Sequence, residues 1–256
     1  MNQPLSIRTI LCALQFAVLA CFSARALADD DIRIVTEELP PYNMTLNGRL
    51  TGMGTEVVQA VLQEVGVQAS IHSMPWARAY DIALNSENVL IYSISRTAQR
   101  EKLFKWVGVI APVRWYLFAK PGSNIHLDCL DDARKYQIAT VKQDAGEQYL
   151  VSQGFAVGKN LQSGNRYEYN YEKLKFGRVD LWVSIELNAL YLIRKAGDDP
   201  DRMVIRALSL SELDGNSGLN LAFSLKTPDA LVERFSRALE TIRRNGIYDA
   251  IARKWL

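Results

Sequence analysis

The chain alternates short β-branched apolar runs with segments whose apolar residues recur at helical spacing. Residues 32–36 (IRIVT) predict a strand, and apolar positions from 57 to 65 form one face of a helix that ends at Gly66. The same alternation continues with a strand at 67–74, a helix at 77–85 and a strand at 89–94. This order predicts a mostly parallel sheet.

A second alternating unit begins near Trp115. Its predicted elements are a strand at 115–122, a short helix at 127–134, a strand at 136–141, a helix at 144–153, a helix at 170–178, a strand at 178–185 and a helix at 186–197. A strand at 219–226 then precedes an amphipathic helix, for which Thr227 is the predicted N-cap and Pro228 the first helical residue.

The N-terminus has the pattern of a secretory signal. Arg8 precedes an apolar core at residues 10–22, and Ala26-Leu27-Ala28 fits a cleavage site, so residues 1–28 are predicted to be removed and the mature chain to begin at Asp29 in the periplasm. The alternative is a lipoprotein anchored at Cys21.

Composition narrows the classes of function. Removing the predicted signal leaves equal numbers of basic and acidic residues, which argues against nucleic acid as a partner. Cys129 would be the one remaining cysteine, and His72 and His126 are far apart, so we expect no disulfide, no metal site and no cofactor.

The most informative stretch is VLIYSISRTAQREKLFKWVG, at residues 89–108. A buried strand here turns polar and places Ser93, Ser95, Thr97 and Arg100 where the apolar run ends. Because open α/β sheets bind ligands at the carboxyl ends of their strands, these residues predict an anion receptor. The alternative is an exposed arginine on the first turn of a helix.

This serine pair with its Thr and Arg resembles the signature of bacterial solute-binding protein family 3, the polar-amino-acid receptors of ABC importers. Further similarities are Leu39-Pro40-Pro41-Tyr42, Asn47-Gly48 with Gly52, Gly177-Arg178-Val179-Asp180 and the C-terminal segment 222–256. They occur in family order and cover nearly the whole mature chain.

The resemblance implies an α/β fold, a two-lobed periplasmic binding protein (type II-like) with two hinge crossings. We expect these crossings near residues 118–121 and 218–221. Lobe 1 would then comprise residues 29–118 and 221–256, and lobe 2 residues 119–220. Ligand would be trapped between the lobes when the hinge closes.

The implied function is that of a non-catalytic, monomeric receptor for a small carboxylate-bearing ligand, an amino acid or a related compound, which it delivers to an inner-membrane ABC permease. One alternative is a periplasmic enzyme resembling cyclohexadienyl or arogenate dehydratase, with Glu37, Glu38 and Glu186 as the acid or base candidates. Another is a ligand-sensing partner of a membrane signalling protein.

The resemblance assigns the ligand carboxylate to Ser93, Ser95 and Arg100. Trp76 is a stacking candidate, and Arg78 could add a second cation or lie on the surface. The position before the proline pair is Leu39, where relatives often carry an aromatic residue. Tyr42 is therefore a second stacking candidate. Glu37 and Glu38 are the acids of this loop, of which one, with Glu38 preferred, meets a ligand cation; the alternative is a solvated loop.

The second lobe departs from the family pattern. Asp144 stands near the start of a helix whose free N–H groups could bind ligand, where relatives carry a Gly-Ser/Thr pair. The acid that normally meets the ligand ammonium is replaced by Ile185, with Glu186 beside it. An α-amino acid therefore cannot be assumed as the ligand.

Overall fold

The computed structural model describes residues 32–214 and 218–256. The predicted signal peptide, Cys21 and the predicted mature N-terminus at Asp29 lie outside these residues. The strands are, in chain order, β1 (Arg33–Thr36), β2 (Met44–Leu46), β3 (Arg49–Thr51), β4 (Ile71–Ser73), β5 (Val89–Ser95), β6 (Phe104–Ala111), β7 (Trp115–Ala119), β8 (Ile138–Val141), β9 (Leu161–Gly164), β10 (Leu181–Ile185), β11 (Ile205–Ser209) and β12 (Leu219–Ser224).

Helices account for most of the remaining secondary structure. They are α1 (Met53–Val65), α2 (Trp76–Asn85), α3 (Ala145–Ser152), α4 (Tyr167–Lys175), α5 (Glu186–Lys195), α6 (Pro200–Met203), α7 (Asp229–Arg244) and α8 (Ile247–Trp255), with 3₁₀ turns at Leu130–Lys135 and Ser211–Leu213. None of the helices in the described ranges is long and apolar enough to cross a bilayer.

The first lobe is built on a mixed sheet with strand order β4-β1-β5-β12-β6. Strand β1 pairs in parallel with β4 and β5, as the alternating pattern predicts. Strand β12 returns from the end of the chain and pairs antiparallel with β5 and β6, so this sheet is half antiparallel rather than mostly parallel.

The second lobe is built on a sheet with strand order β11-β7-β10-β8-β9. Strand β8 pairs in parallel with β9 and β10, whereas β7 is antiparallel to β10 and β11. In both lobes the carboxyl ends of the parallel strands carry the loops that meet between the sheets.

The chain passes between the sheets earlier than the sequence suggested. Strand β6 belongs to the first sheet and β7 to the second, so the first passage occupies residues 112–114. The segment at 118–121, which we expected to cross, therefore lies at the end of a strand inside the second lobe. The chain is back in the first sheet at Leu219.

The first sheet is covered on both faces. Helices α1 and α7 pack their apolar faces together with the strands in one core, which contains Val57, Val61, Phe235 and Leu239. Helix α2 covers the opposite face.

The predicted N-cap at Thr227 is wrong: Pro228 occupies the N-cap position without a side-chain bond, because the Thr227 hydroxyl is paired with that of Ser224 instead.

Candidate functional site

A small buried cavity lies where the two lobes meet. Its walls come from the ends of strands, the first residues of helices and the segments between them: Glu37, Leu39, Trp76, Ser93, Ser95, Arg100, Trp115, Asp144, Ala145, Tyr167, Ile185 and Leu219. Glu37 directly follows β1, the serines lie on β5, and Asp144 is the N-cap of α3. The placement agrees with the rule that open α/β sheets bind ligands at strand carboxyl ends.

Arg100 is the only cation among the residues that line this cavity, and its side chain is held firmly. Its Nε donates to Gln148 Oε1 at 2.9 Å, Nη1 to the Ser95 carbonyl at 3.3 Å and Nη2 to the Gln143 carbonyl at 3.1 Å. The guanidinium carbon lies 5.2 Å from the centre of the Trp76 ring and 4.9 Å from that of Tyr80. All three hydrogen-bond acceptors are neutral.

This arrangement leaves the guanidinium without an anionic partner. Arg100 is 1% exposed, yet no acidic side chain among the described residues lies within 4 Å of it. Burial lowers the pKa of Arg100 because the charged form loses its hydration. A ligand carboxylate would relieve that loss.

Ser93 reaches the cavity through an irregularity in β5. Its φ of 59° lies in the left-handed region, and the pairing of β5 with β12 shifts by one residue beside it. Such a bulge redirects a side chain and is common next to binding sites. The hydroxyls of Ser93 and Thr97 are buried without a hydrogen-bond partner among the described residues, and the Ser93 hydroxyl lies against Gly54 at the start of α1.

Two buried acids face the cavity from opposite lobes. Glu37 is 5% exposed and accepts a hydrogen bond from the Tyr167 hydroxyl at 3.3 Å. Asp144 is 2% exposed; its Oδ1 accepts from the backbone N–H of Glu147 at 2.7 Å, and its Oδ2 has no partner in the described part of the chain. Burial raises the pKa of Glu37 well above its usual value and that of Asp144 to about 7.

Hydrogen bonds across the cleft hold the two lobes together. Trp76 Nε1 donates to the Gln143 carbonyl at 2.8 Å, and Asn188 Nδ2 donates to the Pro40 carbonyl at 2.7 Å. The enclosed cavity is only about 10 Å³, room for about one water molecule. A solute of amino-acid size can therefore enter only if the lobes separate or the walls move.

The structure brings five of the predicted site residues to this cavity: Arg100, Ser93, Ser95, Trp76 and Asp144. The four others lie elsewhere. Arg78 is exposed on α2. Tyr42 is buried, but its hydroxyl donates to the Pro112 carbonyl at 3.0 Å. Glu186 is ion-paired with Arg206.

Glu38 lies outside the cavity, in an adjoining groove between the lobes of about 430 Å³. Its carboxylate accepts hydrogen bonds from Thr45 and Ser73. Glu37, which directly follows β1, is buried, whereas its neighbour Glu38 is exposed. The prediction selected Glu38 as the binding acid, but Glu37 is the acid that lines the cavity.

Tyr167 and Trp115 are cavity residues that the sequence reasoning missed. Tyr167 is the first residue of α4, three residues before the predicted helix start, and its hydroxyl crosses the cleft to Glu37. Trp115 opens β7, and its Nε1 is buried without a partner among the described residues. Trp115 directly follows the passage between the lobes at residues 112–114. Because the predicted passage lay further along the chain, at residues 118–121, Trp115 was not recognised as a cavity residue.

Residues 32–256 match the model of the bacterial extracellular solute-binding proteins, family 3. An arginine-binding periplasmic protein of Mannheimia haemolytica is 24% identical over 234 residues, which cover 88% of this chain and 91% of the relative. The fold is similar to that of an ancestral arginine-binding protein bound to arginine, with 21% sequence identity and a TM-score of 0.75 over 88% of this chain and 97% of the other. It is also similar to that of a histidine kinase sensor domain with similarity to periplasmic binding proteins, with 21% identity and a TM-score of 0.74 over 88% of this chain and 96% of the other.

Proposed function

We propose that this chain, which belongs to the bacterial extracellular solute-binding proteins of family 3, captures a small carboxylate-bearing solute between its two lobes and delivers it to an ABC importer. Solute binding is the function of the family. Beyond the family's function, we propose three things for this chain: the class of its ligand, its permease partner and its monomeric state.

The single observation that carries the ligand class is the state of Arg100. A planar guanidinium binds a carboxylate through two parallel hydrogen bonds, and it has five N–H donors. The described side chains and carbonyls use one donor on each of its three nitrogens, which leaves one on Nη1 and one on Nη2. These two, with the unpartnered hydroxyl of Ser93, supply the donors that a carboxylate needs.

The proposed site of action is the periplasm. Residues 1–28 would direct export and be removed, so the mature chain would start at Asp29. Mass spectrometry of the protein purified from its own cells should find that N-terminus. An acylated Cys21 would instead support a membrane-anchored receptor.

A sensory role is the second candidate, favoured by the likeness to the histidine kinase sensor domain. The two roles share the binding site and differ in the partner. Crosslinking in cells after ligand addition should capture a permease if the protein delivers solute, and a membrane kinase if it reports its concentration.

The decisive experiment is a thermal-shift screen of the mature protein against the amino acids, their deaminated analogues, succinate, glutarate and putrescine, followed by calorimetry on every hit. A compound at a hundred times its dissociation constant stabilises the protein by about 2.7 kcal/mol. We expect hits that all carry a carboxylate and are recovered chemically unchanged. Binding by putrescine alone, or no binding at all, would contradict the proposal, and a converted product would favour an enzyme.

A further inference from the structure

The cleft contains a second and much larger space than the buried cavity, namely the groove in which Glu38 lies. Its volume is about 430 Å³, against about 10 Å³ for the cavity beside Arg100. Pockets for small solutes usually have volumes of about 300–1,000 Å³. The groove therefore has room for the body of a solute, whereas the cavity has room for little more than the group that Arg100 binds.

Three side chains separate the groove from the cavity. Glu37, Trp76 and Tyr167 line both spaces. The Tyr167 hydroxyl donates to the Glu37 carboxyl across the cleft at 3.3 Å, which is long for an O–H···O hydrogen bond, whose usual range is about 2.5–3.0 Å. Moving these side chains would join the two spaces into one.

The walls of the groove offer both acceptors and donors of hydrogen bonds. On the first lobe, the Glu38 carboxylate is held by the Thr45 hydroxyl at 2.8 Å, the Thr45 N–H at 2.9 Å and the Ser73 hydroxyl at 2.9 Å. On the second lobe, Arg166 and Glu168 line the groove and form no ion pair within the described part of the chain. An amide complements such walls, because its N–H donates and its C=O accepts.

The cavity wall next to the groove favours a neutral nitrogen over a charged one. Ile185, which is buried and lines the cavity, stands where the family resemblance would place the acid for a ligand ammonium. Burial raises the pKa of Asp144 to about 7 and that of Glu37 well above its usual value, so the neutral form of each acid is favoured. An acylated nitrogen is neutral and needs no anionic partner.

The distance from Arg100 to the groove sets the length of such a solute. The guanidinium carbon lies 5.2 Å from the centre of the Trp76 ring, which borders both spaces. Twice that distance, about 10 Å, reaches past the ring, and three extended residues at about 3.4 Å each span it. A free amino acid with its carboxylate on Arg100 is too short to place a second polar group of its backbone in the groove.

We propose that the groove is a second subsite of the cleft, which takes the neutral, amide-bearing part of a peptide-like or N-acylated solute whose carboxylate lies on Arg100. The inference rests on the proposed function, because the same carboxylate is bound at Arg100. It narrows the class of solute to carboxylates about three residues long, which extend past Trp76 and Tyr167 into the groove.

The experiment compares short and extended carboxylates by calorimetry on the mature wild-type protein. The probes are L-alanine, L-glutamine, L-leucine and L-phenylalanine, each paired with its N-acetylglycyl derivative. Acetylation removes the positive charge of the nitrogen, so a gain in affinity cannot come from recognition of a cation. We expect the extended member of the tightest pair to bind at least about tenfold more tightly than its free amino acid.

Asn165→Trp is the test variant, because it places a bulky ring in the groove from the exposed loop before α4 and leaves the cavity intact. It should weaken the extended probes at least about tenfold and leave the free amino acids within about threefold. Gln153→Trp is the matched control. It makes the same change from amide to indole at an exposed position of the same lobe that lines neither space, so it should alter neither affinity.

The outcomes that would overturn the inference differ in what they leave standing. If the free amino acids bind as tightly as the extended probes, or more tightly, the groove is not a subsite but the carboxylate-binding function holds. If the extended probes bind more tightly and Asn165→Trp folds but does not weaken them selectively, the extension lies elsewhere and the groove is the wrong location. If no carboxylate of either length binds the wild type, the proposed function fails and this inference fails with it.

Discussion

Replacing Arg100 with alanine removes the one cation that faces the cavity. The change deletes the two N–H donors that remain free for a ligand carboxylate, together with three hydrogen bonds to neutral acceptors. A hydrogen bond to a charged group contributes about 1.5–3 kcal/mol, and an unpaired carboxylate left in the closed cavity adds to the loss. Since each 1.4 kcal/mol is a factor of ten, Arg100→Ala should weaken binding at least about thirtyfold.

The same variant has opposing effects on the protein without ligand. It loses bonds to Gln143 and Gln148 in the other lobe, which favours opening, but it also removes a buried charge whose hydration is lost on closure. These effects partly cancel, so the variant should fold with an unchanged circular dichroism spectrum and a cooperative melt. Arg100→Lys should recover only part of the affinity because it keeps the charge without the planar fork.

The assay is calorimetry with the tightest amino acid found in the screen, on the wild type and both variants. Arg78→Ala is the matched control, since Arg78 is exposed on the first lobe and lies outside the cavity. It should bind within about threefold of the wild type. If Arg100→Ala also binds within threefold, a difference under 1 kcal/mol, the carboxylate site is assigned to the wrong residue.

Three further predictions address closure and packing. Trp76→Phe keeps the ring but deletes the hydrogen bond to the Gln143 carbonyl across the cleft, so calorimetry should show a loss of about two- to tenfold. Burial raises the pKa of Asp144 to about 7. The bound proton therefore stabilises the closed protein without ligand at low pH, and this contribution is lost as pH rises from about 4 to 7. Small-angle scattering should give a smaller radius at pH 5 than at pH 8, and equal radii would argue against this pH-dependent closure. At Gly218 a Cβ would collide with the backbone carbonyl of Ala111, the last residue of β6. Gly218→Ala should therefore lower the unfolding midpoint by several degrees, whereas Gly164→Ala, with room for a Cβ, should change it far less.

Most of the fold could be predicted because periodicity and element type are local properties. The helix at α1 is an example, where an apolar stripe and Gly66 in the left-handed conformation define its face and its end. Strands β2, β3, β6, β9 and β11 were not predicted. Strands β9 and β11 are short, and β11 is largely exposed, so neither has an alternating apolar pattern. The passage between the lobes was misplaced because a strand looks the same from its sequence whichever sheet it joins.

The candidate site was predictable only where one segment carries it. Ser93, Ser95 and Arg100 lie within eight residues of one another, so a single strand end and the turn after it place them together. Tyr167 and Glu37 meet across the cleft although 130 residues separate them. No local pattern distinguishes buried Glu37 from exposed Glu38, because that difference depends on which side of β1 the second lobe covers.

The electrostatics of the cavity also explain how binding would drive closure. A ligand can shift an equilibrium between open and closed lobes only through interactions that differ between the two states. In the closed state Arg100 is buried against neutral acceptors, so closure alone removes hydration from a charge that it does not pair. A ligand carboxylate would supply the missing partner, and its contacts form fully only when the lobes meet. An apolar solute of the same size fills the space but leaves the guanidinium unpaired, so it should neither bind tightly nor close the protein.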